Sequence, residues 1–189
     1  MSDFPTEASQ NATPEALDRL LEHPAIWRGR SAAHIETVSS GFPSLDEALP
    51  GGGWPRAGLV EVLLPHAGIG ELALFMPALA AHGVALGRVL VARAGKPLWA
   101  LEQALGSGAC AAALAWIERA HPRDVRRLQL ATERGRTLGV LFREPHGGRG
   151  STCAALRLRL AAAKDGVRIT LVKSRGGLRG TVDLLWQQP

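Results

Sequence analysis

Several residue types are scarce in this 189-residue chain, and each scarcity limits the functions it can have. Cys110 and Cys153 are its two cysteines, and both sit in or beside apolar runs, so we interpret them as packed thiols rather than as a disulfide. The 6 histidines have no metal-ligand spacing with each other or with cysteine, so no metal site is predicted. No apolar run approaches the roughly 20 residues that cross a bilayer, so no transmembrane role is expected.

Lysine is also scarce, and arginine supplies most of the positive charge. The formal net charge is +5, with acidic residues leading before Asp46 and arginines crowding the second half of the chain. This asymmetry suits an acidic or anionic partner. The alternative is that arginine is simply the ordinary surface cation of this chain.

The length predicts one domain preceded by a short extension. The first residues include Asp3, Pro5 and Glu7 instead of a basic start and an apolar run, so we expect no signal peptide and a cytoplasmic location. Residues 1–36 are assigned to the extension, with a helix from Thr13 to about His23 followed by a connector. Residues 37–189 are assigned to the main domain.

From Gly58 onward, apolar runs alternate with helical patterns. The runs predicted as strands are GLVEVLL (58–64), RVLVAR (88–93), AAALAWI (111–117) and TLGVLFR (137–143), and the helical patterns are ELALFMPALAAHG (71–83), PLWALEQALGSG (97–108) and PRDVRRLQLATERG (122–135). This alternation predicts an α/β fold with a central, mainly parallel sheet flanked by helices. Because the strands lack strict polar alternation, we expect both of their faces to be covered.

After Ser151 the pattern changes to strands with a two-residue period. ALRLRLAAA, VRITLVKS and LRGTVDLLW are separated by the turn sequences KDG and RGG, which predict a C-terminal antiparallel strand extension. In the first of these strands Leu156, Leu158 and Leu160 face one way, whereas Arg157 and Arg159 face the other. One face is therefore expected to pack and the other to be basic.

The stretch from Ser39 to Leu74 resembles the opening of the RecA family. It has a Ser-Gly start, a SLDEAL helix, a Gly-Gly-aromatic-Pro turn, a VEV strand and a loop with Pro and Gly. In RecA-like ATPases this loop cradles phosphates with backbone amides, while a lysine reaches the outer phosphates and a hydroxyl holds magnesium. Here the loop is degenerate. It keeps Pro65, Gly68 and Gly70, but Glu71 stands at the position of the lysine and Leu72 at the position of the hydroxyl residue.

A carboxylate at the lysine position opposes polyphosphate binding. The change replaces an attraction by a repulsion, and each is about 4 kcal/mol for unit charges near 4 Å at an effective dielectric of 20. No lysine precedes Lys96, so no other register restores the site, and Glu118 is a poor substitute for the acidic residue that RecA-like enzymes carry after the strand ending in Ile117. No nucleophile motif is present. We therefore predict no catalytic residue, no cofactor and no enzymatic activity.

Longer stretches resemble the ImuA family of RecA-like or SulA-like proteins associated with translesion DNA synthesis. They are LPGGGWPRAGLVEVLLPHAGIGELAL, LWALEQALGSGACAAALAW, RRLQLATERGRTLGVLFR and ALRLRL with KSRGG, and the resemblance extends from about Trp27 to Gly177. It implies a RecA-like core and a non-catalytic accessory subunit of a DNA-damage-induced complex with ImuB and an error-prone replicative-type polymerase. A modulator of RecA filaments or, as in SulA, of cell division is the alternative; an ATP-dependent DNA-binding enzyme is disfavoured by the loop.

One departure from the family concerns the segment after RVLV. Family members carry a Pro-rich strand-helix unit there, whereas here Val91-Ala92-Arg93 runs almost directly into Gly95-Lys96-Pro97. A strand-helix unit is therefore missing. Either one strand is absent from the sheet or the topology has closed around the gap.

The candidate contact residues are basic or aromatic. Lys173 and Arg175 fall where RecA places paired lysines that reach a nucleotide in the neighbouring protomer. In one interpretation they contact an acidic partner or phosphates. In the other they belong to a solvated strand end. Trp99 and Trp116 are expected in the core, whereas Trp54 in its Gly-Pro loop is the candidate partner contact. The predicted contact set for a protein partner, with weak non-specific DNA binding as a further candidate, is Trp54, Arg157, Arg159, Arg168, Lys173, Arg175 and Arg179.

Overall fold

The computed structural model describes residues 36–81, 84, 86–145, 152–174 and 180–185. The N-terminal helix predicted from Thr13, together with nearly all of the extension, lies outside these residues, and so do the predicted contacts Arg175 and Arg179. The strands are β1 (Thr37–Val38), β2 (Trp54–Pro55), β3 (Gly58–Leu63), β4 (Ala112–Trp116), β5 (Leu138–Arg143), β6 (Leu156–Ala163), β7 (Gly166–Ser174) and β8 (Gly180–Leu185). The α-helices are α1 (Pro43–Ala48), α2 (Met76–Ala81), α3 (Pro97–Ser107) and α4 (Pro122–Gly135).

Strands β3 to β8 form one mixed sheet in the order β4-β5-β3-β6-β7-β8. The pairs β4–β5, β5–β3 and β3–β6 are parallel, whereas β6–β7 and β7–β8 are antiparallel. Strands β1 and β2 form a separate antiparallel pair. The predicted α/β fold, with its mainly parallel centre and C-terminal antiparallel extension, is confirmed.

Central strand β3 divides the core into two halves. All 6 of its residues are buried, as its continuous apolar run indicated. Val60 and Val62 pack with residues of α1, α2 and the antiparallel extension on one side of the sheet. Leu59, on the opposite side, packs against residues of α3 and α4. The helices therefore cover both sides of the parallel half of the sheet.

The strand predicted for RVLVAR is wrong. Residues 89–94 form no strand, and Leu90 and Val91 are 90% and 87% exposed. The interior of the sheet has no place for it, because β3 and β5 each already have two neighbours, and no described strand pairs with the outer edge of β4. The two consequences of the missing strand-helix unit stay predictions, because that unit was expected to follow RVLVAR and not to include it.

Candidate functional site

The loop after β3 contains two glycines in a left-handed backbone conformation. Gly68 and Gly70 have φ angles of +91° and +94°, a region that residues with a side chain rarely adopt. Residues 71–75 form turns, and the six-residue helix α2 begins only at Met76. The loop is therefore not followed directly by the helix whose N-terminus binds phosphate in P-loop proteins.

The carboxylate of Glu71 is bound by its own loop. The backbone amide of Gly68 donates to both carboxylate oxygens, at 2.9 and 3.0 Å. The indole Nε1 of Trp116, at the end of β4, donates to Oε1 at 3.0 Å. Glu71 is only 4% exposed. An amide of the loop that would face a phosphate in a nucleotide-binding protein is thus engaged by an internal anion.

Hydrogen bonding decides the charge of Glu71. Burial alone would raise the pKa of this carboxyl group, but hydrogen bonds from the Gly68 amide, the Trp116 indole and the amides of Glu71 and Ile69 outweigh it. The net result is a lowered pKa, so Glu71 is ionised at neutral pH. A bound carboxylate and an incoming phosphate would compete for the same donors and repel each other.

Nucleotide binding should therefore be undetectable. We expect isothermal titration calorimetry of the full chain with ATP and physiological magnesium to show no saturable heat, because the lysine and hydroxyl are missing and Glu71 holds the Gly68 amide. The variant Glu71→Gln removes the repulsion and serves as the comparison, and it should also fail because it restores neither missing group. Micromolar ATP binding by the unmodified chain would refute this account of the loop.

Trp54 is a core residue, which corrects its prediction as a partner contact. It is fully buried, and its ring stacks on Phe75 with centroids 4.6 Å apart. Phe75 contacts Phe142 edge-on at 5.8 Å, and Phe142 stacks on Trp116 at 4.8 Å. The Gly-Pro context indicated a surface loop, but the ring packs in the core against Phe75, just before α2. A row of four aromatic rings therefore connects the β2 turn to Glu71.

Arg157 is also a correction, because the sequence placed it on an exposed basic face. Its Nε donates to Glu61 Oε2 at 2.7 Å, and Arg157 is only 8% exposed. Arg143 donates to Glu61 Oε1 at 2.7 Å, and the hydroxyl of Thr152 donates to Oε2 at 2.8 Å. Glu61 itself is fully buried in the middle of β3. Sequence reasoning missed this ion cluster, although a carboxylate inside an apolar strand was a signal for it.

Lys173 lies opposite Arg157 in the register of β6 and β7. Its Nζ donates to the backbone carbonyls of Thr152 and Ala154 at 2.6 and 2.7 Å. Lys173 therefore anchors the segment that leads into β6, and a substitution there would disturb the local fold as well as any surface.

Among the described members of the predicted contact set, Arg159 and Arg168 are exposed. Arg159 is exposed and lies opposite Thr170, which in turn pairs with Thr181. Arg168 forms a two-point ion pair with Asp183 at 2.7 and 2.9 Å. Because directly opposed residues share a face, these five side chains form one surface, which we call the polar sheet face.

The remaining predictions concern thiols and tryptophans. Cys153 is exposed and Cys110 is partly buried, so the prediction of two packed thiols holds for neither in full. Trp99 and Trp116 were expected in the core but are 60% and 44% exposed.

Among the described residues, no group of three or more His, Cys, Asp or Glu is arranged to hold a metal ion. In that same part of the chain, no helix has the length and apolar character to cross a membrane.

Together these features define an α/β protein whose glycine-rich loop after the first central strand binds its own carboxylate. Two proteins named Protein ImuA, from two strains of Caulobacter vibrioides, are each 31% identical to this chain over 196 positions. The matches cover 76% of this chain and 80% of each relative. The chain therefore belongs to the ImuA family. No family model matches it.

Proposed function

We propose that this protein is a non-catalytic, cytoplasmic accessory subunit of a DNA-damage-induced translesion synthesis complex. Its partner in this proposal is ImuB, within an assembly that also holds an error-prone replicative-type polymerase, and RecA is the second candidate partner. The observation that carries the non-catalytic part is the Glu71 carboxylate on the Gly68 amide. Family membership supports the complex, because the ImuA resemblance implies it.

The polar sheet face supports a role through protein contact. Helices α3 and α4 pack on β3, β4 and β5, and α1 lies against β8 on the side of the buried Leu184. In the part of the chain that the structure describes, no helix covers the opposite side of β6, β7 and β8, where Arg159 and Arg168 project. Arg168 is engaged by Asp183, which leaves Arg159 as the cation most available to a partner. An acidic partner surface would be steered and oriented by it.

The test is the variant Arg159→Glu, titrated against purified ImuB and against RecA. We expect affinity for the true partner to fall by roughly tenfold at low salt, because a reversed charge replaces attraction with repulsion. Arg159 is exposed, so folding should be unchanged by circular dichroism. Arg56→Glu, an exposed arginine before β3, is the matched control and should leave binding intact.

The outcomes separate the alternatives. Loss of ImuB binding supports the accessory-subunit proposal, whereas tighter and Arg159-dependent binding to RecA would favour the filament modulator. Unchanged affinity for both proteins in a folded variant would remove the polar sheet face from the proposal. DNA binding by this surface would instead fall steeply with salt, because neutralising phosphates releases counterions.

A further inference from the structure

Strand β4 has an open edge. In a parallel pair each residue sends its N–H and C=O to the same side, and successive residues alternate. The carbonyl of Ala111 accepts from Leu138 and the amide of Ile117 donates to Phe142, so the odd-numbered residues bond to β5. The backbone groups of Ala112, Leu114 and Trp116 therefore point outward. No other described strand pairs with them.

A cleft of about 820 Å³ lies at the carboxyl end of this strand. It is bordered by Trp116 and Ile117 from the end of β4, and by the first turns of α3 and α4. Trp99 and Trp116 both line it, and both are substantially exposed. We call this region, together with the open edge, the β4 cleft. Exposed aromatic rings beside unpaired backbone groups are typical of a surface that receives another chain.

Exposed apolar residues are concentrated in the same part of the chain. Among the described residues, nine large hydrophobic residues are exposed, and seven of them lie in the range from Leu72 to Trp116. Leu72 adjoins Glu71, whose carboxylate binds the Trp116 indole, so it lies next to the end of β4. Val89, Leu90 and Val91 precede Lys96, which lines the cleft. This distribution indicates a partner that brings apolar side chains.

Positive charge surrounds these apolar residues. Lys96 and Arg119 line the β4 cleft, and Arg88 and Arg93 flank the apolar run. All four are exposed, and within the described residues none of them forms an ion pair. Of the carboxylates in the cleft, Glu102 is paired with Arg127, Asp124 accepts from the backbone of His121, and Glu118 is exposed and offsets one of the four cations. The cations left over complement an acidic partner.

We propose that the β4 cleft binds an extended, acidic and apolar segment of a partner protein, which adds to the sheet as a strand beside β4. The backbone of Ala112, Leu114 and Trp116 pairs with the segment, its apolar side chains cover Trp99 and Trp116, and its carboxylates meet Lys96 and Arg119. Strand addition combines main-chain hydrogen bonds with side-chain pockets in this manner. The surface is separate from the polar sheet face and does not depend on it.

Single-stranded nucleic acid is the competing occupant, since aromatic rings and cations also bind it. One observation favours a peptide. An open strand edge offers alternating donors and acceptors that match another backbone but not a phosphate chain.

The experiment uses the full chain and a fluorescein-labelled peptide in which valine and glutamate alternate. The comparison probes are a peptide in which valine and lysine alternate and an oligothymidylate of similar length. We expect fluorescence anisotropy to detect binding of the acidic peptide in preference to both others. Trp99→Ala and Lys96→Glu should each weaken it by roughly tenfold, whereas Leu130→Ala and Arg56→Glu, which change exposed residues outside the cleft, should not.

Amide hydrogen exchange by NMR reports the edge directly. Without peptide, the amides of Ala112, Leu114 and Trp116 should exchange faster than those of Ala113 and Ala115, and the acidic peptide should slow them. The proposal is overturned if the acidic peptide does not bind, or if the basic peptide or the oligothymidylate binds as well or better. It is also overturned if the three outward amides are protected without peptide, because Val89–Val91 of the same chain would then occupy the edge.

Discussion

Replacing Glu61 with glutamine should lower the free energy of unfolding by about 3–5 kcal/mol, because it leaves the buried Arg157 and the partly buried Arg143 without their carboxylate. Arg143 and Arg157 both bond to Glu61 at 2.7 Å, and the glutamate is fully buried. A neutral amide keeps the shape of the side chain and one acceptor oxygen but cannot balance either guanidinium. Urea unfolding followed by far-ultraviolet circular dichroism measures the difference.

The matched control applies the same chemical change to an exposed ion pair. Glu36 pairs with Arg136 at 3.0 Å, and both side chains are more than half exposed. Glu36→Gln should therefore change stability by no more than about 1 kcal/mol. If the two variants lost equal stability, or if Glu61→Gln lost none, the buried cluster would not have the role described for it.

The pH dependence of stability has the same origin. Burial alone would raise the pKa of Glu61, but the hydrogen bond and charge of Arg157, the charge of Arg143 and the Thr152 hydroxyl lower it overall. The stabilisation is therefore present above the unfolded value of about 4.3 and is lost as the pH falls through the lower folded value. The unmodified chain should lose stability below about pH 4.3, and this part of the loss should be absent in Glu61→Gln.

Truncating Trp54 to alanine should cost about 3–5 kcal/mol of unfolding free energy, as expected for a large buried aromatic residue. The ring is fully buried and stacks on Phe75, so its removal opens a cavity beside Phe75. Trp99→Ala is the control, since Trp99 is 60% exposed and its loss should cost far less. Denaturant unfolding of both variants measures the difference. A small effect at Trp54 together with a large one at Trp99 would reverse the structural assignment.

The parts of the fold that depend on neighbouring residues were predictable from the sequence. Helix α4 spans Pro122–Gly135, as its pattern predicted, because Pro122 at the first position and its apolar periodicity are local signals. Asp124 is a further local signal for the start of this helix, since its carboxylate accepts a hydrogen bond from the backbone amide of His121. Strands β6 and β7 meet at Lys164 and Asp165, where the KDG sequence predicted a turn.

What the sequence could not supply depends on distant partners. Arg143 and Arg157 lie 82 and 96 positions from Glu61, so their ion pairs leave no trace in local spacing. RVLVAR has the composition of a strand, but composition does not say whether a segment pairs with a neighbour, and among the described residues the edge of β4 stays unpaired. Trp54 was misplaced because a Gly-Pro context indicates a turn but does not say which side of it is buried. In the loop, the sequence shows that no lysine is present. That the carboxylate of Glu71 accepts hydrogen bonds from the Gly68 amide could be learned only from the structure.

The central claim is that this ImuA-family protein acts by binding a protein partner without using nucleotide. Titration of the unmodified full chain with purified ImuB, with and without ATP and magnesium, tests it most directly. We predict saturable binding to ImuB with the same dissociation constant in both conditions, because Glu71 keeps nucleotide out of the loop. No binding to ImuB, or binding that requires ATP, would contradict the account.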